Sequence, residues 1–179
     1  MSPKQKIFLV VAVAIFSIYL IYSDGSEAYS KYELATVDCM ELNTSSTQDD
    51  FQKCLEDGAN YGLSLKQANL AVLLLKKGDK AGAKFWATKS AERDTPEAMD
   101  LMGTIYQQEN NIQKSVEWYT KSVDKGYEIS RTNLALLYLK GLSPDHSQED
   151  GLTLLKQAAS NGEQNAIRLL EKIQENVEL

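Results

Sequence analysis

Gln67-Ala68-Asn69-Leu70-Ala71-Val72-Leu73-Leu74 returns later in the chain as Arg131-Thr132-Asn133-Leu134-Ala135-Leu136-Leu137-Tyr138. The offset is 64, twice 32, so an intermediate copy is expected at 99–106. Met99-Asp100-Leu101-Met102-Gly103-Thr104-Ile105-Tyr106 stands there, with the small residue (Ala71, Gly103, Ala135) and the large one three positions on (Leu74, Tyr106, Tyr138) in register. Each copy is followed by turn-forming residues: Lys77-Gly78-Asp79, Glu109-Asn110-Asn111, and the stretch from Gly141 to Asp150. A second run then follows with its own echo: Trp86 to Ala91, Trp118 to Val123, and Leu154 to Ala159. Asp94, Gly126 and Gly162 come eight residues after Trp86, Trp118 and Leu154, where each second helix should stop. The third copy is four residues longer, and the surplus falls in Leu142-Ser143-Pro144-Asp145-His146.

A unit of two amphipathic helices joined by a turn cannot bury its apolar face alone. Small residues let its helices approach, aromatics fill the gap to the next unit, and stacking makes the core. The recurrence of Trp86 and Trp118 at the repeat period therefore assigns them to packing between repeats rather than to a ligand cage.

The pattern Asn-Leu-small-x-x-Tyr, a turn, and Trp-Tyr-x-Lys-small-small-x-x-Gly resembles the Sel-one-like repeat (SLR) branch of the tetratricopeptide superfamily. In the second copy Gly103, Tyr106, Trp118, Tyr119, Lys121 and Gly126 fall where that pattern has them, and Leu154 to Gly162 matches its second-helix signature. The first copy departs from it, with Leu74, Ala87 and Asp94 at the Tyr, aromatic and terminal Gly positions, and the family's Gly-x-Gly-Val loop is missing or degraded throughout. The resemblance spans residues 60 to 173 and implies a right-handed α-solenoid that works as an adaptor between proteins. It also implies a concave face lined by the first helices, with Asn69 and Asn133 as groove asparagines able to hydrogen-bond a ligand backbone or, equally, to pack helix on helix. Val72, Lys76, Thr104, Gln107, Gln108, Leu136 and Lys140 would line the same face. A partner segment of acidic or amide character suits that composition.

Composition agrees with an all-α chain: of 179 residues 43% are hydrophobic and only 3 are proline, enough apolar content for a core with few helix breakers. Two of the 19 basic residues, Lys4 and Lys6, lie before Ser23 and none of the 25 acidic ones do, so the remainder carries a formal charge of −8. Such a body repels phosphates, and with Lys76-Lys77 as its only adjacent basic pair it offers no stripe for nucleic acid.

Ile7 to Tyr22 (IFLVVAVAIFSIYLIY) is uncharged throughout, close to the roughly 17 to 25 residues that cross a bilayer as a helix. Lys4 and Lys6 precede it, Asp24 and Glu27 follow it, and Tyr19 and Tyr22 suit the outer interface. The charge bias places the N-terminus in the cytoplasm and the rest in the periplasm, as a single-pass protein of the inner membrane. A cleavable signal peptide, with Ser26-Glu27-Ala28 at the cut and a soluble periplasmic product, is the alternative. Cys39 and Cys54, the only cysteines, fall in the exported part with polar residues Asn43 to Asp50 between them. A disulfide is expected there, against the alternative of two buried thiols. It would stabilise the start of the solenoid by about 3 kcal/mol in the loop-entropy account.

No catalytic constellation emerges. Gly78-Asp79-Lys80-Ala81-Gly82-Ala83-Lys84 has its second glycine one position early for a phosphate loop, no Ser or Thr after Lys84, and no strand before it. His146, the single histidine, lies between Asp145 and Ser147 in the longest turn, which reads as a solvated loop. A zinc site and any other metal or cofactor are not expected.

The expected organisation is a cytoplasmic tip at 1–6, an anchor at 7–23, a linker with a disulfide-capped hairpin at 24–60, repeats at 61–94, 95–126 and 127–162, and a closing helix at 163–179. The expected role is a membrane-anchored adaptor that holds protein partners, with no small-molecule substrate. An accessory subunit associating through its membrane helix is the alternative, and a cell-wall-related hydrolase or binding protein the remote one.

Overall fold

The computed structural model describes Cys39 and residues 48–175. The expected membrane segment at 7–23 lies outside them, as do most of the linker and residues 176–179. Among the described residues no helix is long and apolar enough to cross a membrane. The chain divides into one unit up to Tyr61 and a second from Gly62 onward.

In the first unit, α1 (Gln48–Asn60) opens with Asp49 and Asp50 in its first turn, where carboxylates favour the exposed amides and the positive end of the helix dipole. Leu55, Gly58 and Ala59 are buried. Cys54 is joined to Cys39 by a disulfide, with Cα atoms 5.9 Å apart across a sequence separation of 15.

The second unit contains seven of the eight helices among the described residues. They run α2 (Ser64–Lys76), α3 (Lys80–Ala91), α4 (Pro96–Gln108), α5 (Ile112–Asp124), α6 (Glu128–Leu139), α7 (Gln148–Ser160) and α8 (Gln164–Glu175). Each packs on the next, and α2 also meets α4. The result is an all-α solenoid of helix pairs, α2 with α3, α4 with α5 and α6 with α7, with α8 on α7.

The ends of the helices show why the sequence breaks where it does. Each second helix has a side-chain cap: Asp79 accepts from the Gly82 amide at 2.9 Å and Asn111 from the Lys114 amide at 3.2 Å. Ser147 and Asp150 cap α7 reciprocally, each side chain taking the other's backbone N–H, which satisfies amides that have no partner within the helix. The first helices begin at Leu63, Thr95 and Tyr127 without such caps. Serines on the partner helices donate to carbonyls in the first turns of α2 and α4. Ser90 donates to the Ser64 carbonyl at 2.6 Å, and Ser122 donates to the Pro96 carbonyl at 2.8 Å, one repeat later.

The second helices end in left-handed residues. Gly126 and Gly162 have φ of +83° and +89°, and Asp94 takes the same region at +61° although it is not glycine. Aspartate and asparagine tolerate this conformation better than most side chains, so the missing glycine of the first repeat changes the residue and keeps the turn. Asn110 does likewise after α4, at +58°.

The helices of each pair meet at the small residue singled out by the repeat. Ala71 and Ala87 are fully buried in one cluster. One repeat on, Gly103 lies under Tyr119, and a Cβ added at Gly103 would stand 2.5 Å from Tyr119 Cδ1. In the third pair Ala135 and Leu155 share a cluster, and a Cβ on Gly151 would meet the Ala135 carbonyl at 2.9 Å. The small residue meets an alanine in the first pair, a tyrosine in the second, and a leucine beside a glycine in the third, and each pair reaches its own close fit. Trp118 joins the pairs: it packs against Ala68, Ala91, Ala98 and Met99, drawn from α2, α3 and α4. Trp86 packs on the cluster containing Leu101, Met102 and Ile105 of the next pair. Tyr106 adds a polar clamp, with Lys84 Nζ 4.2 Å and Lys114 Nζ 5.2 Å from its ring centre while Lys84 also pairs with Glu109 at 2.9 Å.

Gly103→Ala is expected to lower stability by about 1–3 kcal/mol through overpacking, in spite of the ~1 kcal/mol that alanine gains over glycine in helix propensity. The denaturant midpoint measures it, and an unchanged midpoint would mean that the Tyr119 ring yields freely. Opening the Cys39–Cys54 bridge by Cys39→Ser with Cys54→Ser should remove about 3 kcal/mol of loop-closure stabilisation. Faster amide exchange within α1 is the readout, and unaltered protection of α1 would exclude that role.

Candidate functional site

The repeat places residues 65, 69, 72 and 76 of α2 along one stripe, since steps of four, three and four return to the same side of a helix. The equivalent stripe on α4 is Glu97, Leu101, Thr104 and Gln108, and on α6 it is Ile129, Asn133 and Leu136, continued by Lys140 at the cap just past its end. Of the nine residues assigned to a groove from the sequence, Asn69, Val72, Lys76, Gln108 and Lys140 are exposed. Thr104, Gln107, Asn133 and Leu136 are half-buried.

Three of the half-buried four are already engaged. Tyr119 is fully buried, and its Oη lies 3.0 Å from Thr104 Oγ1 and donates to Gln107 Oε1 at 3.2 Å. Desolvation pushes the phenol up to about 12, so it stays a neutral donor. Asn133 Nδ2 donates to Asp100 Oδ1 at 2.9 Å. These side chains hold α4 to α5 and α6 to α4. Asn69 stands exposed at the equivalent place on α2, so the two asparagines that look alike in sequence have different surroundings.

Sequence reasoning did not single out Leu65 and Ile129, exposed at 55% and 41%. Their signal was available: they are 64 apart, as Asn69 and Asn133 are, and each sits one turn before its asparagine. The face therefore carries apolar residues at the start of α2 and α6 and lysines at their ends.

Asp100 was also unmarked in the sequence, because one carboxylate on a helix carries no pattern of its own. It forms the polar centre between the second and third pairs. Ser130 Oγ lies 2.7 Å from Asp100 Oδ1 and 2.7 Å from Ser122 Oγ, and Ser122 Oγ donates to the Pro96 carbonyl at 2.8 Å. Two hydroxyl hydrogens cannot serve all three contacts when Asp100 is ionised. A proton on Asp100 completes the row, running from Asp100 through Ser130 and Ser122 to the carbonyl. Burial acts in the same direction: it raises the Asp100 pKa above its ordinary 3.8, against the lowering effect of the Ser130 and Asn133 hydrogen bonds.

The expected disulfide joins Cys39 and Cys54. Gly78 to Lys84 form the α2–α3 turn and the start of α3, where the Asp79 carboxylate itself accepts from the Gly82 amide. His146 is exposed but ordered, stacked on Tyr138 with ring centres 4.0 Å apart and sharing a 3.0 Å hydrogen bond between Nδ1 and Ser143 Oγ. Among the described residues no group of three or more His, Cys, Asp or Glu side chains could hold a metal ion.

Helix pairs repeating in this way define an α-solenoid, and solved structures of the same build place it among Sel1-like repeat folds. A protective antigen of uropathogenic Escherichia coli strains displaying an SLR fold superposes with a TM-score of 0.67 at 23% identity, over 85% of this chain and 35% of its own. A Sel1 repeat protein from Oxalobacter formigenes superposes with a TM-score of 0.58 at 21% identity, over 69% of this chain and 54% of its own. The chain thus spans about a third and about half of the lengths of these two proteins, and at such identities the likeness is one of fold. No protein-family model matches the sequence, and no curated protein does.

Because the folded Asp100 carboxyl titrates above its unfolded value, its contribution to stability is complete below pH 3.8 and is lost as pH rises through the folded value. Asp100→Asn keeps an acceptor and cannot ionise. Measured against it, the parent protein should lose melting temperature as pH is raised from 3.8 through the higher folded value, and a difference that is flat with pH would refute the assignment.

Proposed function

We propose that this protein is a membrane-anchored adaptor whose solenoid holds a segment of a partner protein along the face formed by α2, α4 and α6. The observation that carries the reading is the repeated stripe itself. Leu65, Asn69, Val72 and Lys76 on α2, with Ile129 and Leu136 on α6 and Lys140 at its cap, set apolar anchors, an amide and cations on a rigid frame. A few well-placed anchors supply most of the energy in such interfaces, and a frame ordered beforehand lowers the entropic cost of binding. A segment with apolar residues toward Leu65 and Ile129, and acidic or amide residues toward Lys76 and Lys140, is complementary to it. The reading includes the right-handed path implied by the repeat pattern, and repeats bounded at 61–94, 95–126 and 127–162 with a closing helix after them.

The anchor is Ile7 to Tyr22, with Lys4 and Lys6 in the cytoplasm and the solenoid on the periplasmic side of the inner membrane. The pairing of Cys39 with Cys54 supports an oxidising compartment. The role needs no catalytic group or cofactor, because holding a partner in place requires only the surface.

Affinity purification from native membranes in mild detergent, followed by mass spectrometry, tests this directly. The full-length protein and a form lacking residues 1–23, exported by a cleavable signal, should retain the same partners. Val72→Glu with Leu136→Glu should reduce their recovery at least tenfold, the equivalent of about 1.4 kcal/mol. Partners that appear only with the anchor would instead make the protein a subunit held through its membrane helix.

A further inference from the structure

The long α6–α7 connection does more than absorb four extra residues. Ser143, Pro144, Asp145 and His146 turn back toward α5 and, with Ile112, Gln113, Val116 and Glu117, line a cleft of about 260 Å³. The loop wall is fixed from behind: Ser143 is buried at 6% exposure and bonded to His146, whose ring lies flat on Tyr138. The cleft is therefore shaped before anything enters it.

Its chemistry is uneven. Ile112, Val116 and Pro144 give it apolar surface, while Glu117 from the helix wall and Asp145 from the loop wall bring two carboxylates. Neither carboxylate has a hydrogen-bond or ion-pair partner among the described residues. No lysine or arginine lines the cleft. The nearest base on α5 in sequence, Lys114, is turned to the Tyr106 ring instead. The volume falls short of the roughly 300–1,000 Å³ typical of sites for whole small-molecule ligands, and suits a single long side chain.

We propose that this cleft receives an arginine side chain of a partner protein. The stem of the arginine lies on Ile112, Val116 and Pro144, and its guanidinium sits between Glu117 and Asp145. Arginine fits better than lysine: its planar fork can address two carboxylates at once, and it loses less on leaving water than an ammonium does. None of the residues lining the site belongs to the stripes of α2, α4 and α6, so it stands or falls separately from the adaptor face.

The test is an amide chemical-shift titration of the isotope-labelled full-length protein in detergent micelles with the blocked peptide acetyl-Gly-Gly-Arg-Gly-Gly-amide. Shifts confined to residues 112–117 and 143–146 are expected, saturating with a dissociation constant in the millimolar range typical of a single anchor. The same peptide with citrulline, which keeps the shape and loses the charge, should bind at least fivefold more weakly. So should the arginine peptide to the Glu117→Gln/Asp145→Asn protein, whose exposed substitutions leave the remaining amide spectrum in place. Shifts centred elsewhere, equal binding of the citrulline peptide, or an unaffected double variant would each overturn the proposal.

Discussion

Everything in the solenoid depends on how closely the two helices of a pair approach at one small residue. Ala71, Gly103 and Ala135 occupy that place, and what faces them differs: Ala87, Tyr119 and Leu155. The backbone repeats because the sum of the facing side chains is adjusted locally, and interiors at crystal-like density leave little room for error. Once α4 and α5 close over Gly103, the Tyr119 hydroxyl is delivered to Thr104 and Gln107, and Ser115 reaches the Gly103 carbonyl at 2.8 Å. Polar order in the second pair is thus a consequence of apolar fit.

Much of this was legible before any coordinates, because a solenoid writes its structure as a period. The small residue, the large residue three places on, the turn and the recurring tryptophan each have a steric reason to return, and a spacing of 32 or 36 shows them all at once. Asp94 is the instructive departure. It looks like a lost glycine, yet its φ of +61° shows that the backbone demand survived and that aspartate meets it. The face of the first helices was legible as a set of positions, but the state of each position was not. Asn69 and Asn133 are the same letter in the same register, and only the neighbouring Asp100 makes one of them a clasp. The cleft beside α5 was illegible for a related reason. Its walls come from residues about 30 apart that belong to no repeated pattern, so nothing in the period announces it.

The fold by itself does not fix a function, but it fixes what kind of function is cheap. Stripes repeated on α2, α4 and α6 present the same positions again and again, and under the proposed function a partner in extended or helical form would engage several of them without any of them moving. The polar row from Asp100 to Pro96 is different in kind: it is desolvated, links the second pair to the third, and has a carboxyl that burial raises above its ordinary value. Such groups are more expensive to form than apolar contacts and confer one defined arrangement when satisfied. Here that arrangement is the register between the second and third pairs.

The caps at Asp79, Asn111 and Ser147 have a consequence for the length of the chain. Each second helix carries its own starting signal, taken from side chains immediately before it, whereas each first helix begins without one. The start of a second helix is therefore set locally, and is insensitive to how much backbone has passed since the first helix ended. Residues 140–147 show the outcome, since α7 begins cleanly after a longer connection than α3 or α5. The turns within pairs are the elastic joints of this molecule and the turns between pairs its fixed ones, so new surface can be grown on one edge of the solenoid while the stack keeps its pitch.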